Sequence, residues 1–136
     1  MYKCIVIPVD LSGTGKSEEM IEKAKSLADP DASFHLVHVL EAIPLYIEAQ
    51  VPDSFHHQAL EEATQAVKAI ADASGLVVQT QIRSGGASTE IMDMAEEVGA
   101  DLILIRSHKP GLQDYFLGST ASRVVRHAKC SVLVMR

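Results

Sequence analysis

Five short apolar runs, separated by stretches long enough for helices, constrain this chain more than any other feature. Tyr2–Val9, Ser33–Leu40, Leu76–Ile82, Asp101–Ile105 and Ser131–Met135 read as strands. Between them, 3.6-residue periods predict helices from about Ser17 to Ala28, from about His56 to Ala73, from the Gly85-Gly86 turn to Val98, and from Ser119 to His127. The order is βαβαβαβαβ. Helical crossovers allow parallel neighbours and should be right-handed, so the fold class is α/β, a three-layer sandwich over a five-stranded sheet. Tyr2–Val9 is nearly continuous in apolarity after Lys3, as expected for a strand covered on both faces, with Pro8 marking its exit.

The helical stripes are Met20, Ile21, Ala24, Leu27 and Ala28; Leu60, Ala63, Val67 and Ile70; Ile91, Met94 or Ala95, and Val98; and Ala121, Val124, Val125 and Ala128. Asp29-Pro-Asp should end the first helix, and Gly99 should close the third. Ser88 or Thr89 is the expected cap where that third helix begins. Glu41–Ser54, with Pro44 and Pro52 and no clean period, reads as an excursion. The alternating polar residues of Leu76–Ile82 suit an edge strand. Ser131–Met135 is so apolar that it must be central or covered by a second subunit, and edge pairing would make a dimer.

At 136 residues the chain is expected to be one domain, residues 1–136, able to bury a core without disulfides or metals. Cys4 and Cys130 read as small buried or half-buried residues of a reducing compartment. No stretch approaches the ~20 apolar residues of a membrane span, and no leader pattern is present, so the expected location is cytoplasmic, without membrane partners. Charge is uneven. Residues 1–105 hold 17 acidic and 6 basic side chains, and residues 106–136 hold 6 basic and one acid, Asp114. With a net charge of −6 the chain is a poor partner for nucleic acid, while a local positive end suits a phosphorylated small ligand. Part of that pattern also fits Arg126 and Lys129 serving the carboxyl-terminal dipole of their own helix.

The stretch from Arg106 to Ser119, RSHKPGLQDYFLGS, leaves a buried strand and enters a helix at Gly118-Ser119-Thr120. In an open parallel sheet, ligands sit there, facing the free N–H groups of a helix start. Arg106 and Lys109 can add charge to a phosphate chain, and His108 can hydrogen-bond phosphate or ribose, or cap the loop. Asp10 ends the first strand and would face this loop if strands one and four are neighbours. There it can accept from ribose hydroxyls or hold a hydrated divalent ion. The run from Asp10 to Ser17 imitates a P-loop, but Asp10 stands where glycine is needed and would repel phosphate. His35 and His38, three apart on a strand, point to opposite faces and form no metal pair. No HExxH, CxxC, GxSxG or GxGxxG occurs, and no catalytic or metal-ligating residue is assigned.

The opening MYKCIVIPVD, the strand HLVHVL and the terminal block SHKPGLQDYFLGSTASRVVRHAKCSVLVMR together resemble the universal stress protein family over essentially the whole chain, in particular its short enterobacterial F and G types. The resemblance implies a Rossmann-like parallel sheet in the order 3-2-1-4-5, of the adenine nucleotide alpha hydrolase-like kind. It also implies homodimers joined through the last strand, higher oligomers, and protein partners the sequence does not name. Many members bind ATP, with or without Mg²⁺, through Gly, two residues, Gly, nine residues, then Gly-Ser or Gly-Thr. By position, Pro8 and Asp10 would approach adenine and ribose, and Val39 would line the adenine pocket. Ile105, Arg106, His108 and Lys109 would line the floor and phosphate approach, while Gly118, Ser119 and Thr120 would donate to phosphates. Here Arg106 replaces the first glycine, Lys109 or Pro110 the second, and the loop is one residue shorter. The implied function is an adenine-nucleotide-binding regulatory module, at most a slow ATPase; the alternative is a dimeric interaction protein that binds no nucleotide.

Overall fold

The computed structural model describes residues 1–11, 16–42, 44–107 and 117–136. Its elements are β1 (Tyr2–Pro8), α1 (Lys16–Leu27), β2 (Ala28–Glu41), α2 (Leu45–Glu48), α3 (Asp53–Ala73), β3 (Val78–Gly85), α4 (Ala87–Val98), β4 (Leu102–Arg106), α5 (Ser119–His127) and β5 (Ser131–Met135). The sheet is five-stranded, in the order β3-β2-β1-β4-β5, and every neighbouring pair is parallel.

The pleat sorts side chains into two cores. Ile5, Ile7 and Val9 of the first strand and its exit join Phe34, Leu36, Leu102 and Leu104 on one face, under Met20, Ile21 and Ala24 of α1 and Val67 and Ala71 of α3. Val6, Val37, Ile103 and Ile105 point the other way, toward Ile91, Met94 and Ala95 of α4 and Ala121 and Val124 of α5. The three central strands are thus apolar on both sides, as parallel strands between helical layers must be.

Several local expectations shift. The first helix does stop before Asp29-Pro-Asp, yet that segment belongs to β2, which begins at Ala28. Tyr2 pairs with Ala28 and Cys4 with Ser33, so the pairing slips across residues 29–32, where Pro30 has no N–H for a ladder. The excursion contains the short α2, and α3 starts at Asp53, each following a proline in extended conformation, Pro44 or Pro52. Neither Ser88 nor Thr89 caps α4. Gly86 holds that position, which puts Ser88 two residues inside the first turn and onto the buried face. Leu60 and Val125 lie outside their stripes, 43% and 48% exposed, while Ala71 takes the inner position on α3. Gly99 closes α4 at φ 69°, with Ala100 N–H reaching the Ala95 carbonyl at 2.8 Å.

At the amino-terminal end of the sheet, Asp101 ties β4 to β1. Its carboxylate accepts from Lys3 N–H at 2.8 Å and Cys4 N–H at 2.9 Å, and its own N–H donates to the Cys4 carbonyl at 3.0 Å. Burial pushes the Asp101 carboxyl upward, but the backbone N–H bonds outweigh it and hold the group below the usual carboxylate range. Nearby, burial and the Asp101 charge push the Cys130 thiol up, so it stays protonated, and Cys4 Sγ donates to the Val98 carbonyl at 3.6 Å. On β3, an edge strand as expected, Arg83 holds Glu90 and Glu97 of α4 at 2.9 Å each.

Candidate functional site

The site follows from the strand order. β1 leads to β2 through α1 on one face, whereas β4 leads to β5 through α5 on the other. The carboxyl ends of β1 and β4, paired through Ile5–Leu102 and Val6–Ile103, therefore open into a crevice at the point where the winding reverses. A cavity of about 400 Å³ occupies it, within the size range of small-molecule sites.

The cavity gathers Pro8 and Asp10 from the end of β1, Val39 from β2, Ile105 and Arg106 from β4, and Gly118, Ser119 and Thr120 from the start of α5. His108 and Lys109 lie outside the described residues. So does the middle of the P-loop-like stretch, although Lys16 and Ser17 at the head of α1 reach the wall. Val37 and Val39 of β2 and Ile105 give it apolar surface, while Asp10, Lys16, Glu41 and Arg106 give it charge of both signs.

Each wall is set by a local cause. In α5, Ser122 N–H is the first to reach back, to the Gly118 carbonyl at 2.9 Å. The N–H groups of Ser119, Thr120 and Ala121 precede it and have no carbonyl within their helix. Gly118 differs: its N–H donates to Ser107 Oγ at 2.9 Å, and Ser107 N–H donates to the Met135 carbonyl at 2.8 Å. Ser107 thus pins the helix start to the ends of β4 and β5. It also takes the Gly118 N–H that the resemblance assigned to phosphate.

Arg106 is oriented by its neighbours. One Nη donates to Glu19 of α1 at 3.1 Å and the other to the Arg136 carbonyl at 3.4 Å. Its Nε is buried with no hydrogen-bond partner among the described residues. An unmet buried donor costs roughly 1–3 kcal/mol, so an acceptor brought into the cavity beside it would be favoured. The positive segment 106–136 is partly neutralised in this way, and Lys129 pairs with Glu96 of α4 at 2.5 Å rather than serving only the end of its own helix.

His38 lies on the wall with Nδ1 2.8 Å from the Val9 carbonyl. A carbonyl only accepts, so Nδ1 is the donor of this bond, which fixes the ring's orientation on the wall. His35 is buried, and burial lowers its pKa. Ser107, Ser17, His38 and Glu41 were not among the residues expected from sequence. The available signal was position: all four sit at a strand's carboxyl end or a helix start, beside residues already singled out.

A doubly wound parallel sheet with a ligand-sized crevice at its reversal point and a helix start on the wall defines a Rossmann-like fold. The model described as universal stress protein family matches residues 1–136, and the chain belongs to that family. It is 34% identical to universal stress protein G of Shigella flexneri, with 100% of both chains covered. Among solved structures, it is similar to hypothetical protein MJ0577, at a TM-score of 0.81 and 27% identity, covering 99% of this chain and 96% of that one. It also shares the fold of an Archaeoglobus fulgidus universal stress protein in complex with dAMP, at a TM-score of 0.67 and 23% identity, covering 99% and 98%.

Proposed function

We propose that this universal stress protein is an adenine-nucleotide-binding module of the stress response that takes ATP, with or without Mg²⁺, in the crevice between β1 and β4. The supporting observation is the two-ended character of the cavity. Pro8, Val39 and Ile105 form an apolar end fit for a flat base. The α5 start presents free N–H groups and two hydroxyls at the other end, fit for phosphate. Asp10 stands on the wall near the β1 exit, where a carboxylate can receive ribose hydroxyls. That one relative of the same fold was solved with dAMP is consistent with this reading. The role is regulatory, with hydrolysis slow at most.

The second reading is a dimeric interaction protein that binds no nucleotide, and it too has an observation behind it. Gly118 N–H and both Nη groups of Arg106 already have protein partners. In either reading β5 is an edge strand with an apolar sequence, and pairing it with a second copy would give a homodimer. Titration calorimetry separates the two. Heat on adding ATP, reduced in Asp10→Ala and Ser119→Ala, supports the nucleotide module. No heat with ATP, ADP or AMP, with and without Mg²⁺, while sedimentation shows a dimer, supports the interaction protein.

A further inference from the structure

A second hollow, of about 320 Å³, lies beside the crevice, between the starts of α4 and α5. Both helices cover the same face of the sheet, and their first turns converge on it. In α4 the first N–H to reach back is that of Glu90, to the Gly86 carbonyl at 3.0 Å. The N–H groups of Ala87, Ser88 and Thr89 therefore lack intrahelical acceptors, as do those of Ser119 and Thr120 across the gap. Two positive helix ends facing one space favour an anion more than either does alone.

One side chain points to a ligand independently of the helix starts, and a second supplies charge. Ser88 lines the hollow and is only 6% exposed, yet its hydroxyl has no hydrogen-bond partner among the described residues. Arg123, exposed on the opposite wall, brings a guanidinium that has no carboxylate within ion-pair reach among the described residues. Glu90, the acid in the first turn of α4, is turned to Arg83. Among the described residues Glu41 is the one acid on the wall; it is exposed and opposes an anion.

We propose that this hollow binds a phosphoryl anion, held by the α4 and α5 N–H groups, the Ser88 hydroxyl and the Arg123 guanidinium. The group is either a free phosphate or the terminal phosphate of a nucleotide lying in the neighbouring crevice, which shares Ser119 and Thr120. The test is a titration of the ¹⁵N-labelled full chain with inorganic phosphate at constant ionic strength, followed by amide shifts. Saturable movement of Ala87, Ser88 and Thr89 together with Ser119 is expected. Ser88→Ala and Arg123→Gln should each weaken it about fivefold, the loss of one hydrogen bond, and Glu41→Gln should strengthen it. Ser88→Ala should not lower the melting temperature, since it removes a hydroxyl without a partner. A response of the α4 amides to ATP but not to inorganic phosphate or AMP would assign the site to the nucleotide's terminal phosphate. Silence of the α4 amides toward both phosphate and ATP, including a response confined to Ser119 and Thr120, would overturn the proposal. Asp10→Ala should weaken the AMP response about tenfold while sparing that to phosphate, so the two sites can fail separately.

Discussion

The two ends of the sheet handle their polar groups in opposite ways. At the amino-terminal end, Asp101 fills the Lys3 and Cys4 N–H groups, its own N–H meets Cys4, and Gly99 turns the chain so that Ala100 closes α4. At the carboxyl-terminal end, Arg106 Nε is buried without a partner among the described residues, and two helix starts face open cavities. Buried polar groups are nearly always paired, so one buried unmet donor beside two open helix starts sets this end apart from the other. The completed end holds the strands in register, and the incomplete end is where binding chemistry is available.

This contrast fails if mutations at the two ends affect the same property. The largest expected effect is at the completed end. Asp101→Ala should cost about 2–3 kcal/mol, because it strips a charged acceptor from two backbone donors; urea unfolding at pH 7 measures it, and ligand affinity should be spared. The same residue sets a pH dependence. Its native carboxyl titrates below the unfolded value, so the unfolded chain binds more protons and stability rises with pH through that window. The contribution is complete above about pH 4 to 5 and is lost as pH falls through the lowered native value. Asp101→Asn should therefore flatten the acid limb of a stability profile.

At the open end, Asp10→Ala should weaken ATP about tenfold, near 1.4 kcal/mol, with the melting temperature essentially unchanged. Ser119→Ala should weaken it by a smaller factor, about threefold, in the same calorimetric series, since the backbone N–H groups remain. The smaller of the two stability effects belongs to the β3 edge. Arg83→Gln should cost about 0.5–1 kcal/mol, discounted because Glu97 is 57% exposed, and the loss should shrink in high salt. A drop in ATP affinity in Asp101→Ala comparable to that in Asp10→Ala would end the distinction between the two ends.

The order of elements was legible because each strand is bounded by unambiguous punctuation. Ser131–Met135 and Ser119–His127 fall where the pattern places them, the first as an uninterrupted apolar run and the second by its Gly-Ser-Thr start. Boundaries shifted where a local preference competed with pairing. β2 runs back to Ala28 through a proline that should have excluded it, because the slip in register leaves Pro30 without a required bond. Ser88 looked like a cap, since serine commonly is one, but two earlier residues joined β3 and α4 and carried it inside.

For the cavity wall, Asp10 and the Gly118-Ser119-Thr120 helix start were readable because strand ends and helix starts converge where winding reverses, whereas Pro8, Val39 and Ile105 came only from the family resemblance. Ser107 and Glu41 were not, because their importance depends on which neighbour they face. Asp101 was read only as the opening residue of a strand. Its partner lies 97 residues away, and no local pattern announces such a bond.

That separation has a consequence in time. The N–H of Cys4 is made early in synthesis, and its acceptor, Asp101, emerges only after most of the chain. Until then β1 can pair with β2 on one side but has nothing on the other, and closing so long a loop is a slow, non-local event. Both the lock at one end and the crevice at the other depend on β1 meeting β4. Binding competence and resistance to unfolding should therefore appear in the same kinetic step during refolding.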